Sequence, residues 1–499
     1  MFYTGGGFDK GCYSFLKMQR VVRYILSHFP HQPTAMQESA CLEMVQFLYD
    51  PDPASAFVLR GYAGTGKTSL VSALVRSAPA LRIKTVLLAP TGRAAKVLSG
   101  YSGQPAYTIH RKIYQTVTDS DGMMRVARAL NKHSYTLFIV DEASMIGQNE
   151  ESGMGRRSLL EDLVDYVTEG NHCRLMLIGD TAQLPPVGSS QSPALDLEYL
   201  SAILQLNVHH SELTEVVRQR SLSGILLNAT MLRMQIAALP DGGTPNMPLF
   251  DLEDCGDVQR LPGEELVEVL NREYGENAID EVAIITRSNK RANLFNQEIR
   301  NRILYREEEV NAGDYLMVVK NNYYWLEAES EMGFIANGDI VEVQSLRNHQ
   351  ELYGFHFIDA TVRFVDYPDM PAQDCKLLLE TLHSESPSLT YEESQQLFNS
   401  VMEDYADMPR RADRLNAVKQ NPYYNALQVK FSYALTCHKT QGGQWGTVII
   451  DQGYMTDEMV DKEYLRWLYT AVTRATERVY LLNFQDKFFE GENNIFNKN

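Results

Sequence analysis

The chain has 499 residues, more than one hydrophobic core usually serves, since chains divide into domains beyond ~250–300 residues, so one simple domain is excluded. Hydrophobic residues make up 44% and charged residues 22%, with 32 glycines and 19 prolines, which excludes collagen-like, low-complexity and disordered classes. Lys and Arg number 46 against 64 Asp and Glu; the balance of −18 opposes global attraction to phosphate backbones or anionic membranes, and any nucleic-acid site has to be a local groove.

Residues 1–34 read as an N-terminal flank whose opening, MFYTGGGFDKGCYSF, lacks a basic start followed by an apolar run. From 35 to 212, apolar runs recur as FVLRG from Phe57, TVLLAPT from Thr85, TLFIVDE from Thr136 and RLMLIGD from Arg174, and read as buried parallel strands. Helical patterns lie between them, TSLVSALVRSA from Thr68 and SLLEDLVDYVTEG from Ser158, so a doubly wound α/β sheet is expected, with its ligands at the carboxyl ends of the strands. Within about 100–132, QTVTDSDGMMRVAR carries an Asp121-Gly122 turn that suggests a hairpin.

A second α/β series occupies 213–304 and 426–499: EVAIITRS from Glu281, ALQVKFSYALT from Ala426, TVIID from Thr447 and RVYLLNF from Arg478. Between its pieces, 305–425 changes to short alternating segments (DYLMVVKNNYY, NGDIVEVQSL, FHFIDATVRFVDY) and an acidic helical stretch near Ser386–Asp407, read as an inserted small β-barrel with a helical extension. The six cysteines (Cys12, Cys41, Cys173, Cys255, Cys375, Cys437) form no CxxC pair, so neither a disulfide scaffold nor a zinc ribbon is expected. No run approaches the ~18 continuous apolar residues of a membrane span, and a cytoplasmic protein without membrane contact is the expectation.

Chemistry enters at GYAGTGKT, Gly61 to Thr68, a GxxxxGKT string between a strand and a helix. Backbone N–H groups around Gly61, Gly64, Thr65, Gly66 and Ser69 suit phosphate oxygens, Lys67 reaches the β- and γ-phosphates, and Thr68 offers its hydroxyl to Mg²⁺. Asp141 and Glu142 end an apolar strand, where Asp141 suits the Mg²⁺ shell and Glu142 a proton from the attacking water. Asn289-Lys290-Arg291-Ala292 lacks the final Asp of a guanine-reading NKxD string, which favours ATP, and Gln37 is a candidate for the adenine edge.

Four further strings, GDTAQLPPVG from Gly179, LTEVVRQ from Leu213, YALTCHKTQGGQW from Tyr433 and LYTAVTRATERV from Leu468, resemble superfamily 1 helicase motifs of the RecD-like and Dda-like branch. The resemblance spans roughly Gln37 to Leu482 and implies two RecA-like P-loop domains with ATP between them, a Src-homology-3-like barrel and a separation pin. It implies that Gln183 senses the γ-phosphate, that Arg218 and Arg474 bring positive charge to it, and that Gly442 belongs with the nucleotide contacts. Gln444 departs from the family, where many members carry an acid at this point. APTGRAA, YTIH, TRSNKRAN and TCHKTQ supply candidate DNA contacts Thr91, Arg93, His110, Thr286, Asn289, Asn293 and His438, with Met123 and Met124 as candidate wedges in the pin. The implied function is ATP- and Mg²⁺-dependent translocation on single-stranded DNA, 5′ to 3′, with unwinding at single-strand/duplex junctions. RNA or RNA–DNA unwinding, or a nucleotide-switched DNA clamp that does not unwind, are the alternatives, because no residue identified here reads a 2′-hydroxyl.

Overall fold

A computed structural model describes residues 8–118, 124–147, 157–215, 223–240, 243–253, 256–326, 332 and 334–489. They fall into two bodies, one comprising Met1–Pro90, Ala94–Ile113 and Arg128–Ser221, the other Thr91–Arg93, Tyr114–Ala127 and Leu222–Asn499.

In the first body, β1 (Ser55–Gly61), β2 (Lys84–Ala89) and β3 (Ala106–Thr108) join a six-stranded sheet; β4 (Tyr114–Thr118) and β5 (Met124–Arg128) pair separately as a two-stranded ribbon that belongs to the second body. With β6 (Thr136–Val140), β7 (Arg174–Gly179) and β8 (Asn207–Leu213) the sheet runs β3-β2-β6-β7-β1-β8, and every described pairing within it is parallel. The four expected runs are there as β1, β2, β6 and β7, and their apolar side chains form a core with Phe47, Leu70 and Leu74 from the covering helices. Edge strands β3 and β8 were not anticipated: the first is three residues long, and the second, NVHHSEL, alternates polar side chains along a half-solvated edge. Local chemistry starts the helices where the pattern placed them. Ser158 and Glu161 form a reciprocal capping box for Leu159–Thr168, and left-handed Gly66 precedes Lys67–Ser77. Asp121, Gly122 and Met123 of the expected turn, and the Met124 side chain, lie outside the described residues.

The second body holds β9 (Val258–Leu261), β10 (Val282–Thr286), β11 (Tyr315–Val318), β12 (Ile340–Leu352), β13 (Phe355–Phe364), β14 (Gln373–Leu378), β15 (Leu427–Phe431), β16 (Ala434–Thr436), β17 (Trp445–Asp451) and β18 (Ala475–Leu482). Its sheet is parallel, in the order β16-β10-β17-β18-β9, while β11 to β15 close a barrel. The single run ALQVKFSYALT therefore divides: β15 completes the barrel and β16 lies at the edge of the sheet, with Ser432 and Tyr433 between them. Periodicity did not reveal the division, because both pieces are buried almost throughout. The acidic stretch includes helix Tyr391–Glu403, opened by a Thr390/Glu393 capping box. No helix among the described residues is long and apolar enough to cross a membrane.

A buried ionic node ties the barrel to the sheet. Asp314, fully buried, accepts from Arg300 Nε and Nη2 at 3.2 and 3.1 Å and from Arg306, while its Oδ2 also accepts from Asn311 N at 2.7 Å. Tyr433 Oη donates to Asp314 at 2.8 Å and accepts from Arg306 and from Tyr315 N. Removing the one acid would strand two cations in low dielectric, so Asp314→Ala is expected to destabilise the second body by ~3–5 kcal/mol, measured by denaturant unfolding.

Candidate functional site

The site grows from the carboxyl rim of the first sheet, where parallel pairing brings the ends of β1, β6 and β7 to the same side. At the end of β1, Gly64 and Gly66 adopt φ of 76° and 87°, left-handed values that let the loop curl. Gly61 is required for a different reason: a Cβ there would sit 2.9 Å from Lys67 Cγ and 3.0 Å from Thr65 Oγ1. Lys67 Nζ donates to Gly61 O at 2.6 Å and to Tyr62 O at 3.0 Å, so the cation lies across the loop whose N–H groups suit an anion. Ser69 continues the first turn of helix Lys67–Ser77.

Gln37 braces this loop from below. Its Nε2 donates to Thr65 O at 2.9 Å while its Oε1 accepts from Thr34 N at 2.9 Å, and the side chain is buried. Both ends of the amide expected at the adenine edge are thus engaged by protein backbone.

At the end of β6, Asp141 Oδ1 accepts from Glu142 N at 2.9 Å, and Glu142 takes a left-handed φ of 51°, which is strained for a residue with a side chain. Asp141 Oδ2 accepts from the Tyr101 hydroxyl, and Thr68 lies close enough to act on the same phenol. Burial and then the neighbouring Asp141 push the Tyr101 phenol well above its ordinary range, so it stays a neutral donor. Thr68 and Asp141, the two residues expected to hold Mg²⁺, therefore meet within the reach of one hydroxyl, and two hard oxygens converging there suit a divalent cation that takes its remaining ligands from phosphate and water. Tyr101 itself carried no sequence signal, because it lies in helix Gly92–Ser102, outside every motif string. At the end of β7, Gln183 is buried and its Oε1 has no hydrogen-bond partner among the described residues. An orphaned buried carbonyl oxygen costs ~1–3 kcal/mol, which fits a group kept to receive a proton donor.

Arg218 lies outside the described residues. Arg474 in the second body is buried, donating from Nε to Thr470 O at 3.1 Å and from Nη1 to Gly443 O at 3.2 Å, next to left-handed Gly442.

The strand candidates divide. His438 follows β16 at a partly exposed position, kept neutral by burial, and the adjoining Lys439, which sequence reading missed, is brought down to about 8 by burial and then by Lys430. His110 is brought down to about 4 by burial. Thr91 is partly exposed at the turn before Gly92. Arg93 is turned inward, with its guanidinium carbon 4.0 Å from the Trp445 ring centroid and Nη2 donating to Gln444 O at 2.8 Å. Thr286 is fully buried and its hydroxyl donates to Ser288 O. Asn289 donates to Glu385 O at 3.1 Å and Asn293 to Ser384 O at 2.8 Å, which ties helix Asn289–Glu298 to the segment after β14. The NKRA string is the first turn of that helix, and its Arg291 pairs with Asp451.

Two family models match the chain: an AAA domain over residues 43–239 and a UvrD-like helicase C-terminal domain over residues 431–482. The ATP-dependent RecD2 DNA helicase of Deinococcus radiodurans is 26% identical over 438 residues, covering 85% of this chain and 46% of the relative, so the chain spans about half that relative's length. The uncharacterized protein R530 of Acanthamoeba polyphaga mimivirus is 23% identical, covering 89% of this chain and 98% of its own. Among solved structures, Pif1 helicase from Bacteroides in complex with ADP-AlF3 and single-stranded DNA aligns with a TM-score of 0.48 at 15% identity, over 93% of this chain and 96% of that one.

Because Gln37 serves both a helix cap and a buried loop carbonyl, Gln37→Ala is expected to lower the stability of the first body by ~1–3 kcal/mol. Gln37→Glu, which keeps the acceptor for Thr34 but sets a buried carboxylate oxygen against the Thr65 carbonyl, should recover none of the loss in thermal unfolding at neutral pH.

Proposed function

We propose that this chain belongs to the RecD-like branch of helicase superfamily 1 and is a motor that couples ATP hydrolysis to movement along single-stranded DNA and to unwinding at single-strand/duplex junctions. The observation that carries the reading is the row of groups on one rim of the first sheet: Lys67 and Thr68 after β1, Asp141 and Glu142 after β6, and Gln183 with its orphaned oxygen after β7. Similarity to a DNA helicase supports DNA as the substrate class, and the family resemblance supports 5′ to 3′ movement.

In this mechanism Lys67 exchanges its two carbonyl partners for phosphate oxygens, and the amino end of helix Lys67–Ser77 adds its dipole. Thr68 and Asp141 would hold Mg²⁺, which would supply positive charge to the phosphates. Tyr101 keeps the Asp141 carboxylate turned toward Thr68. Glu142 takes the proton of the attacking water, and Gln183 Oε1 accepts that water's other hydrogen. Arg218 and Arg474 supply positive charge as the γ-phosphoryl group transfers, a contribution on the order of 10³–10⁵ in rate where such arginines have been removed. Thr91, His110, His438 and Lys439 face the DNA strand.

Lys67→Ala is expected to abolish strand displacement on a tailed duplex together with DNA-stimulated ATP turnover; unwinding equal to wild type would sink the reading, and stronger stimulation by RNA than by matched DNA would redirect it to RNA. Arg474→Lys, which retains charge in the buried site, should lower turnover by at least ~10²-fold with stability preserved. Lys439 holds its proton below pH 8 and loses it above, so strand affinity should weaken as pH rises from 7 to 9.5. Lys439→Arg, charged throughout, should flatten that dependence in a fluorescence-anisotropy titration.

A further inference from the structure

Away from the nucleotide rim, the β3 edge of the first body carries a run of cations and rings. On β3 itself, Tyr107 lies under two cations, with the Arg111 guanidinium carbon 5.0 Å and Lys112 Nζ 5.9 Å from its ring centroid. Next comes His133, held to its neutral form first by burial and then by the positive charges of Lys112 and Lys84; every charged group shifting it is cationic. Lys112 is in turn brought down by burial and by Arg111. Beyond Lys84, whose backbone N–H donates to Tyr135 O at 3.3 Å, the rings of Tyr135 and His172 stack at 4.8 Å with 17° between their planes. Both residues adopt left-handed φ, 53° and 52°, so two strained positions present an exposed aromatic pair, with Tyr135 60% exposed.

Like charges gathered around a neutral histidine are self-repelling in a chain of net charge −18. Among the described residues, Glu169 pairs with Arg128 at 2.6 Å and Asp165 with Arg157 at 2.7 Å. Cations that run from the β3 edge to the start of β2 and end in a stacked ring pair make the combination that holds single-stranded nucleic acid, phosphates on the charges and bases on the rings. The Lys84, Tyr135 and His172 end of the run lies on the rim opposite the nucleotide groups. Lys84 opens β2 beside Thr136, the first residue of β6, and Tyr135 and His172 precede β6 and β7, whereas Asp141 and Gln183 follow the same two strands. The five residues of β6 separate the rims by about 17 Å.

We propose that Tyr107, Arg111, Lys112, Lys84, Tyr135 and His172 form a second binding path for single-stranded DNA, which takes the strand that does not occupy the motor track. The path begins beside His110, a track candidate, and descends the β3 edge to the opposite rim. It rests on the motor reading for the identity of its ligand, since an unwinding motor at a junction generates one strand that it follows and one that it must keep apart.

The test compares a fork with two non-complementary tails against the same duplex carrying only the loading tail, each titrated for affinity over a range of salt with the full chain. Each single-strand phosphate neutralised steepens the log–log slope by about 0.7, so Lys84, Arg111 and Lys112 should make the wild-type slope steeper by about 2 on the fork. Lys84→Gln/Lys112→Gln should remove about 1.4 of that excess, Lys84→Arg/Lys112→Arg should keep it, and Tyr135→Ala should weaken fork binding on the order of tenfold with the slope unchanged. ATP turnover stimulated by a short single strand should be the same in all of them. Equal slopes on the two wild-type substrates, or an excess that survives the glutamine variant, would overturn the second path. Failure of any oligonucleotide to stimulate wild-type turnover would instead sink the motor reading, a separate result in the same set.

Discussion

Parallel pairing in the first sheet is what the proposed chemistry depends on. Once β1 lies parallel to β7, and β7 to β6, the residues that follow each strand emerge on one rim, and no antiparallel arrangement could bring all of GYAGTGKT, DE and GDTAQ there with connections this short. The rim then needs only local solutions. Glycine at 61 makes room for the lysine stem, glycines at 64 and 66 supply left-handed turns, and Glu142 accepts a strained backbone.

That dependence explains what is legible in the sequence. A motif string records residues in a fixed order, so the placement of Lys67, Asp141 and Gln183, which the structure brings to one rim, after buried parallel strands was legible. Tyr101 and the bracing role of Gln37 were not, because each acts through one contact made by folding: a hydroxyl between Thr68 and Asp141, an amide under Thr65. Polar side chains at strand ends are the opposite case. Thr286, Asn289 and Asn293 have the composition of a strand-binding loop, yet a threonine closing a turn and an asparagine tying a helix to a neighbouring segment have the same composition. Only burial and partners separate the two uses, and neither is written locally in sequence.

Charge follows a similar logic. A chain with 64 acids and 46 bases cannot hold DNA by its overall field, and its cations are committed in distinct ways. Arg300, Arg306 and Arg291 are bound to acids within the second body. Lys439 lies where burial and a neighbouring lysine have already loosened its proton, so a phosphate there restores what desolvation removed. A cation whose ordinary partner is missing gains more from an incoming phosphate than one that must first release a carboxylate, and position relative to acids matters more than the total.

The division of ALQVKFSYALT between barrel and sheet has a mechanical consequence. Its hinge is Tyr433, fully buried, whose carbonyl accepts from Ile284 N of β10 at 3.0 Å while its hydroxyl is held by Asp314, Arg306 and Tyr315 N at the entrance to β11. A phenol that donates once and accepts twice has no spare geometry, so the barrel and the second sheet are fixed to each other through one ring. His438 and Lys439 stand five and six residues beyond that ring, at the end of the short strand it anchors. If the proposed track runs past His438, load applied there would pass into the barrel through a satisfied ionic node.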